Sequence, residues 1–420
     1  MARPHVAALA EDALNTQRER VLRRRGWQNR IITYTGYGSA DMLRVFARVL
    51  LSPDRDGDGD GDEPRQDATY GGLRSPYLRR RGWRSFFVSP AMDVPVEVRI
   101  GDQVSHCRSD RGGFVDHTVS GHTLTPGWHE VTISAQSSEP VQASVFVVDP
   151  SVRWGLVSDI DDTVLSTSLP RPMIAAWNTF VRHESARNNV PGMAPLYRTL
   201  MELHPGAPII YVSTGAWNTA PTLNRFLKAN GYPIGPLLLT DWGPTNTGWF
   251  RSGQEHKRAC LDRLARDFPK VKWLLVGDDG QHDPKIYADF AAARPKRVDA
   301  IAIRELTPTE QVLSHGLPVS NEDLGSAGAT GRRRADRRGP LSVHAPDGYG
   351  LLRLLRTAGK ITPPAPSRKR SDGMPRDGAP PTPEASPKPA GAPEGTPDGI
   401  PAEHERPHPG LARAPENPEA

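Results

Sequence analysis

The chain is poor in cysteine, in aromatic residues and in long apolar runs. Only Cys107 and Cys260 occur in 420 residues. Two cysteines cannot staple a chain of this length, so a reducing compartment is expected. No stretch approaches the roughly 20 apolar residues that cross a bilayer. Residues 1–10 lack the continuous apolar segment of a secretion signal. A cytoplasmic protein is therefore expected. Hydrophobic residues make up 37% of the chain, below the usual globular share of about 45–50%, so part of the sequence has little to bury. Neither sign of charge prevails, and a net charge of +5 gives no ground to expect nucleic acid as a partner.

Proline and glycine are abundant instead, at 42 and 39 residues. About a quarter of 362–420 is proline with few large apolar groups. Such a tail cannot bury enough surface to offset its ordering entropy, and disorder is expected there. At the other end, Val6, Leu9, Ala13, Leu14, Val21 and Leu22 recur at helical spacing, predicting a basic amphipathic helix over 1–26. Short alternating runs separated by Gly, Asp and Pro then predict a β-sandwich over 27–150. An insert at 53–75 interrupts it, with Asp54, Asp56, Asp58, Asp60 and Asp62. The insert shares the spacing of half a calcium loop but lacks flanking helices and the closing glutamate, so a solvated loop is expected.

From 151 to 310 the rhythm changes. Apolar strands at 154–159, 208–213, 236–240, 272–278 and 298–303 alternate with helical stretches near 174–187, 193–203, 218–230 and 255–267. That alternation predicts a parallel α/β sheet, whose ligands bind beyond the carboxyl ends of the strands. A linker at 318–340 and a short docking segment at 341–361 complete the expected organisation.

The chemistry gathers at those strand ends. Asp159-Ile160-Asp161-Asp162-Thr163 follows the first apolar strand. Carboxylates at this place can hold a divalent cation and supply a nucleophile and a proton donor. Ser213-Thr214-Gly215 closes the second strand, offering a hydroxyl and backbone N–H groups to a phosphate oxygen. Lys257 opens a helix, and Gly277-Asp278-Asp279 leads an acidic loop to Asp283. Each feature alone has a plain reading: strand-end aspartates cap turns, a lone lysine lies on the surface, and His256 and His282 are ordinary loop residues. The ordered set is more specific than its parts.

Aspartate pair, serine, lysine and Gly-Asp-x-x-x-x-Asp, in this order, resemble the haloacid-dehalogenase-like hydrolases. Ser158–Val164, Tyr211-Val212-Ser213, His256-Lys257 and Val276–Gly280 through Asp283–Tyr287 are similar to a narrower group, the phosphatidate phosphatase family typified by a fungal actin-patch protein. Tyr34–Gly38 and Gly127–Val131 resemble the β-rich region of its bacterial members. Fungal members carry a Ser-Asn-Ser-Pro-Trp type segment where this chain has Ser213-Thr214-Gly215-Ala216-Trp217.

The resemblance implies an α/β, haloacid-dehalogenase-like sheet with a small cap. It further implies that Asp159 attacks phosphorus and that Asp161 protonates the leaving oxygen and then activates water. Ser213 and Lys257 would hold the phosphoryl group. Mg²⁺ would be bound by the Asp159 carboxylate, the Asp161 main-chain carbonyl and Asp278. Asp162, Thr163, Thr214 and Asp279 would support the loops, and Asp283 would either support the metal shell or orient Lys257. The expected substrate is a phosphorylated lipid such as phosphatidate. A phosphoprotein, a soluble phosphate ester and a non-catalytic scaffold role stand as alternatives. Basic clusters beside Trp27 and Trp83 admit peripheral membrane contact. Composition leaves the oligomeric state open.

Overall fold

The computed structural model describes residues 16–53, 69–70, 73–74, 89–167, 187–240, 253–280, 282–315, 331–334 and 340–361. All belong to one compact unit, Met1–Ala365; a second unit, Pro366–Ala420, lies outside the described residues. So do the aspartates of the insert, the basic cluster at 79–83, the strand expected at 85–88, the helix expected near 174–187 up to residue 186, the Pro-rich tail and the part of the expected N-terminal helix before residue 16, whose described residues 16–24 are helical.

The N-terminal β-region forms one eight-stranded sheet that curls over its own core. Its order is Ser89–Pro90, Met42–Pro53, Trp27–Gly38, Val141–Val147, Gly127–Ala135, Pro95–Ile100 and Gln103–Arg108, while Phe114–Ser120 also pairs with Met42–Pro53. Ser105 Oγ lies 2.7 Å from His117 Nε2, so strands far apart in the pairing order meet in space. Alternation drives this packing. Leu43, Val45, Ala47, Val49 and Leu51 point inward with Val96, Val98, Val131, Ile133 and Val145. The opposite face of the same strand carries Phe46, which joins the core of the α/β region.

The second sheet has seven strands in the order Leu237–Thr240, Ile209–Ala216, Trp154–Asp159, Lys272–Asp278, Val298–Arg304, Leu341–Ala345 and Gly331–Arg334. The first six run parallel and the last is antiparallel to its neighbour. The near-continuous apolar runs of the inner strands suit burial on both faces. Two strands extend the sheet beyond 310: Leu341–Ala345 follows the α/β rhythm, and Gly331–Arg334 is a polar edge strand that composition presents as a linker. The helix Gly348–Thr357 packs back with Leu351 and Leu355 fully buried.

A helix absent from the expected set spans Asp283–Ala293. Pro284 in its first turn and the buried stripe Ile286, Tyr287, Phe290 and Ala291 explain it. The antiparallel pair Leu165–Thr167 and Arg187–Asn189 brackets the segment expected to form the cap. Chain order runs outward from Trp154–Asp159 on both sides, which makes that strand the switch point where a ligand crevice opens.

The two regions share a continuous interface. Trp217 lies with its ring centroid 4.7 Å from Tyr34, 5.1 Å from Phe114 and 5.7 Å from Phe46. Beside this cluster Tyr37 donates a 2.8 Å hydrogen bond to Asp267 Oδ2 and accepts one of the same length from Arg44. Arg263 donates to Thr118 Oγ1 at 3.0 Å.

Candidate active site

Three strands and two helices deliver the chemical groups to one place. Asp159 ends its strand 1% exposed. Its position is fixed from behind: Ser158 Oγ donates to the Asp159 carbonyl at 2.6 Å and lies 2.5 Å from the buried Tyr197 hydroxyl. Lys257, in the first turns of Gly253–Asp267, reaches Asp159 Oδ1 at 2.7 Å and Asp283 Oδ1 at 2.6 Å. Asp278 ends the neighbouring strand, and its Oδ1 accepts the Gly280 N–H at 2.8 Å. Gly277 is required here. A Cβ at that position would stand 2.5 Å from Asp283 Oδ2, so any larger residue would displace the carboxylate.

Asp159, Asp278 and Asp283 bring carboxylate oxygens within 4.8 Å of one another. The second oxygen of each (Asp159 Oδ2, Asp278 Oδ2 and Asp283 Oδ2) is buried without a hydrogen-bond partner. Three buried carboxylates face the single cation Lys257. Burial pushes the Asp159 carboxyl well above its ordinary range; Lys257 opposes this, while Asp283 and Asp161 reinforce it. Burial does the same to Asp278, with Asp283 and Asp159 adding to it. Burial by itself would lower the Lys257 ammonium, but Asp159, Asp283 and Asp278 outweigh it and hold the lysine charged. The charge imbalance and the unpartnered oxygens fit a divalent cation with hard oxygen ligands. Asp283, expected in support, is thus both a partner of Lys257 and a member of the candidate metal cluster.

Asp161 is half-buried beside this cluster, and Ser213 Oγ donates to its Oδ2 at 2.7 Å. Ser213 Oγ also accepts the Gly215 N–H at 2.9 Å. The hydroxyl expected to bind phosphate therefore holds the expected acid–base group in this state. Thr214 shapes the same turn, its carbonyl accepting Thr240 Oγ1 at 2.9 Å. Thr163 is fully buried below it. Asp162 adopts φ 58°, the left-handed region that aspartate tolerates better than most residues. Asp279 points away from the carboxylate cluster: its Oδ1 accepts the Leu306 N–H at 2.7 Å.

Sequence reading did not single out Tyr197, Arg304 or Glu310. Arg304 is 5% exposed, and its guanidinium donates to the Asp162 carbonyl and to Glu310 Oε1, both at 2.6 Å. The one available signal was an arginine closing an apolar strand, in Ile301-Ala302-Ile303-Arg304.

The carboxylates, Lys257 and Ser213 lie within a segment that is similar to known proteins. Residues 154–305 match the family described as phosphatidate phosphatase APP1, catalytic domain. The chain is 31% identical over 170 residues to phosphatidate phosphatase APP1 of Saccharomyces cerevisiae, covering 40% of this chain and 29% of that protein. It is 28% identical over 152 residues to an uncharacterized protein of Schizosaccharomyces pombe, covering 36% of this chain and 25% of the relative. The chain thus spans less than a third of the length of these curated relatives. Among solved structures, the HAD domain of the effector protein Lem4 from Legionella pneumophila aligns with a TM-score of 0.26 and 14% identity, over 37% of this chain and 87% of that one.

Proposed function

We propose that this chain hydrolyses a phosphate monoester, with Asp159 as the nucleophile and a phosphorylated lipid of the phosphatidate class as substrate. The observation that carries the reading is the buried Asp159–Lys257–Asp283 chain, with Asp278 at the next strand end, inside the segment similar to the phosphatidate phosphatase catalytic domain. The substrate class comes from that similarity.

The chemistry follows from the groups present. Asp159 attacks phosphorus as the bond to the ester oxygen breaks, giving an aspartyl-phosphate. Asp161 gives its proton to the departing alkoxide. Water then attacks the aspartyl-phosphate, Asp161 takes up the water proton, and inorganic phosphate leaves. General acid–base assistance of this kind is worth about 10²–10⁴-fold in rate. Lys257 keeps one Asp159 oxygen oriented and offsets phosphoryl charge. Ser213 exchanges its bond to Asp161 for one to a phosphoryl oxygen. Mg²⁺, held by Asp159, Asp278 and Asp283, would supply the charge that ionises these carboxylates and masks the substrate dianion.

Peripheral contact with a lipid surface belongs to the same reading. Among the described residues no helix is long and apolar enough to cross a membrane. Phosphate release from phosphatidate vesicles, with and without Mg²⁺, is the direct test. Release that requires Mg²⁺ and disappears in Asp159→Asn is expected. Equal release by that variant overturns the mechanism. Turnover of soluble esters but not of phosphatidate overturns the substrate class.

A further inference from the structure

Arg304 is the ladder partner of Asp278, but its guanidinium reaches past the carboxylate cluster to the turn from which Asp161 projects. The turn runs from Ile160 to Ser166 and closes on itself: the Asp162 N–H donates to the Leu165 carbonyl at 2.8 Å, and the Val164 N–H to the Ile160 carbonyl at 2.9 Å. Asp162 sits within it at φ 58°. A non-glycine residue persists in that conformation only when its surroundings over-determine it. Arg304 supplies the constraint by donating to the Asp162 carbonyl at 2.6 Å.

The far end of the turn is tied to the same cation. Glu310 Oε1 accepts from Arg304 at 2.6 Å and from Ser166 Oγ at 3.0 Å. Glu310 is fixed in turn by Thr307, whose N–H and hydroxyl reach Oε2 at 2.9 Å and 3.0 Å. The Arg304 backbone meets the other acidic loop, its carbonyl accepting the Asp279 N–H at 3.0 Å. One buried residue therefore joins the loop after Asp159 to the loop after Asp278. An arginine suits this task because its planar fork can serve two acceptors in fixed directions, which a lysine ammonium cannot.

We propose that Arg304, braced by Glu310, is a positioning residue for Asp161 that sets the direction in which the acid–base group faces the leaving oxygen. This deepens the hydrolase reading above and rests on it. A positioning role for the acid makes a particular prediction. An alkoxide leaving group needs its proton, whereas 2,4-dinitrophenolate leaves without one. Arg304 should matter for the first ester and little for the second.

The experiment compares kcat/KM of the native chain, Arg304→Gln and Arg304→Lys on dioctanoyl phosphatidate and on 2,4-dinitrophenyl phosphate. With Arg304→Gln a fall of about 100-fold on the lipid and under about 5-fold on the dinitrophenyl ester is expected, the scale of lost acid catalysis. Arg304→Lys keeps a cation for Glu310 and should show the same asymmetry at smaller size, so the test survives poor folding of the glutamine variant. Equal losses on both esters overturn the proposal. Amide hydrogen exchange supplies a readout that needs no turnover. Residues 160–166 should exchange at least about 10-fold faster in the variant while 154–158 keep their protection. Unchanged exchange at 160–166 overturns the positioning claim at any level of activity. Faster exchange in the variant, found together with a native chain that cleaves neither ester, would sink the hydrolase reading and leave the brace standing.

Discussion

The β-sandwich and the α/β sheet solve the problem of charge in opposite ways. In the sandwich, Arg108–Asp93 and Arg99–Glu97 sit at the surface, and Arg44 is the one charged residue among those described there that is buried. Its other buried polar residues, Asn29, Ser89, Ser109 and His122, lie around a core of aliphatic side chains. In the α/β sheet Asp159, Asp162, Lys257, Asp278, Asp283 and Arg304 are all buried, and they cluster at one end of the strands. Burying charge is costly unless it is paired. Three carboxylates sharing one lysine go beyond what structural pairing requires. The difference separates a region organised for packing from one that maintains an unfavourable charge arrangement for chemistry.

Removing Lys257 attacks the contrast hardest. Lys257→Met leaves Asp159 and Asp283 buried without a cation, and losing one partner of a buried pair costs about 3–5 kcal/mol. Urea denaturation should show that loss; a change under about 1 kcal/mol would mean the carboxylates simply take up protons. Trp217→Ala tests whether the two regions are energetically separate. It opens a cavity between Tyr34, Phe46 and Phe114 and should cost about 3–5 kcal/mol. If the regions depend on this contact, calorimetry will split one thermal transition into two.

A smaller effect of unusual sign is expected from Asp278→Asn. In chelator the variant should be more stable than the native chain, by about 1–4 kcal/mol, because a buried carboxylate has been relieved. The sign follows from the raised Asp278 carboxyl. A group whose folded pKa lies above its unfolded value stabilises fully below that value, here about 3.8, and loses the contribution as pH rises through the folded one. The stability gap between variant and native chain should therefore widen from acid toward neutral pH. Mg²⁺ should reverse the ranking, since only the native chain gains by binding. Least of all, Tyr37→Phe removes one hydrogen bond between the regions and should cost about 1 kcal/mol by denaturant midpoint. A loss near zero would show that the aromatic cluster alone carries the interface.

Much of the α/β sheet was legible because its strands are apolar runs that stop abruptly at charged or hydroxyl residues. Val157-Ser158-Asp159 and Val276-Gly277-Asp278 announce a strand end and its chemistry together. The edge was harder to read. Gly331–Arg334 is a strand made of three arginines and a glycine, stabilised by its pairing with Leu341–Ala345 rather than by any pattern of its own. Arg304 escaped for a related reason. An arginine after an apolar run ordinarily marks the surface, and nothing local tells that Asp162 and Glu310 wait to receive it. The Ser213–Asp161 bond and the double role of Asp283 depend on distances between segments far apart in sequence. Trp217 read as part of a motif, while its contact with the sandwich is a fact of assembly.

The helix Gly253–Asp267 has one end in each of these two worlds. Lys257 touches Asp159, and ten residues later Asp267 accepts the hydroxyl of Tyr37 from the sandwich. At 1.5 Å per residue the two points are about 15 Å apart, so pivoting the helix by about 5° at Asp267 would swing the lysine end by a little over 1 Å. Displacements of that size can change an enzymatic rate about 100-fold. The sandwich is then a fixed abutment for a lever arm, and cutting it away to isolate the α/β region would loosen the lysine from a distance.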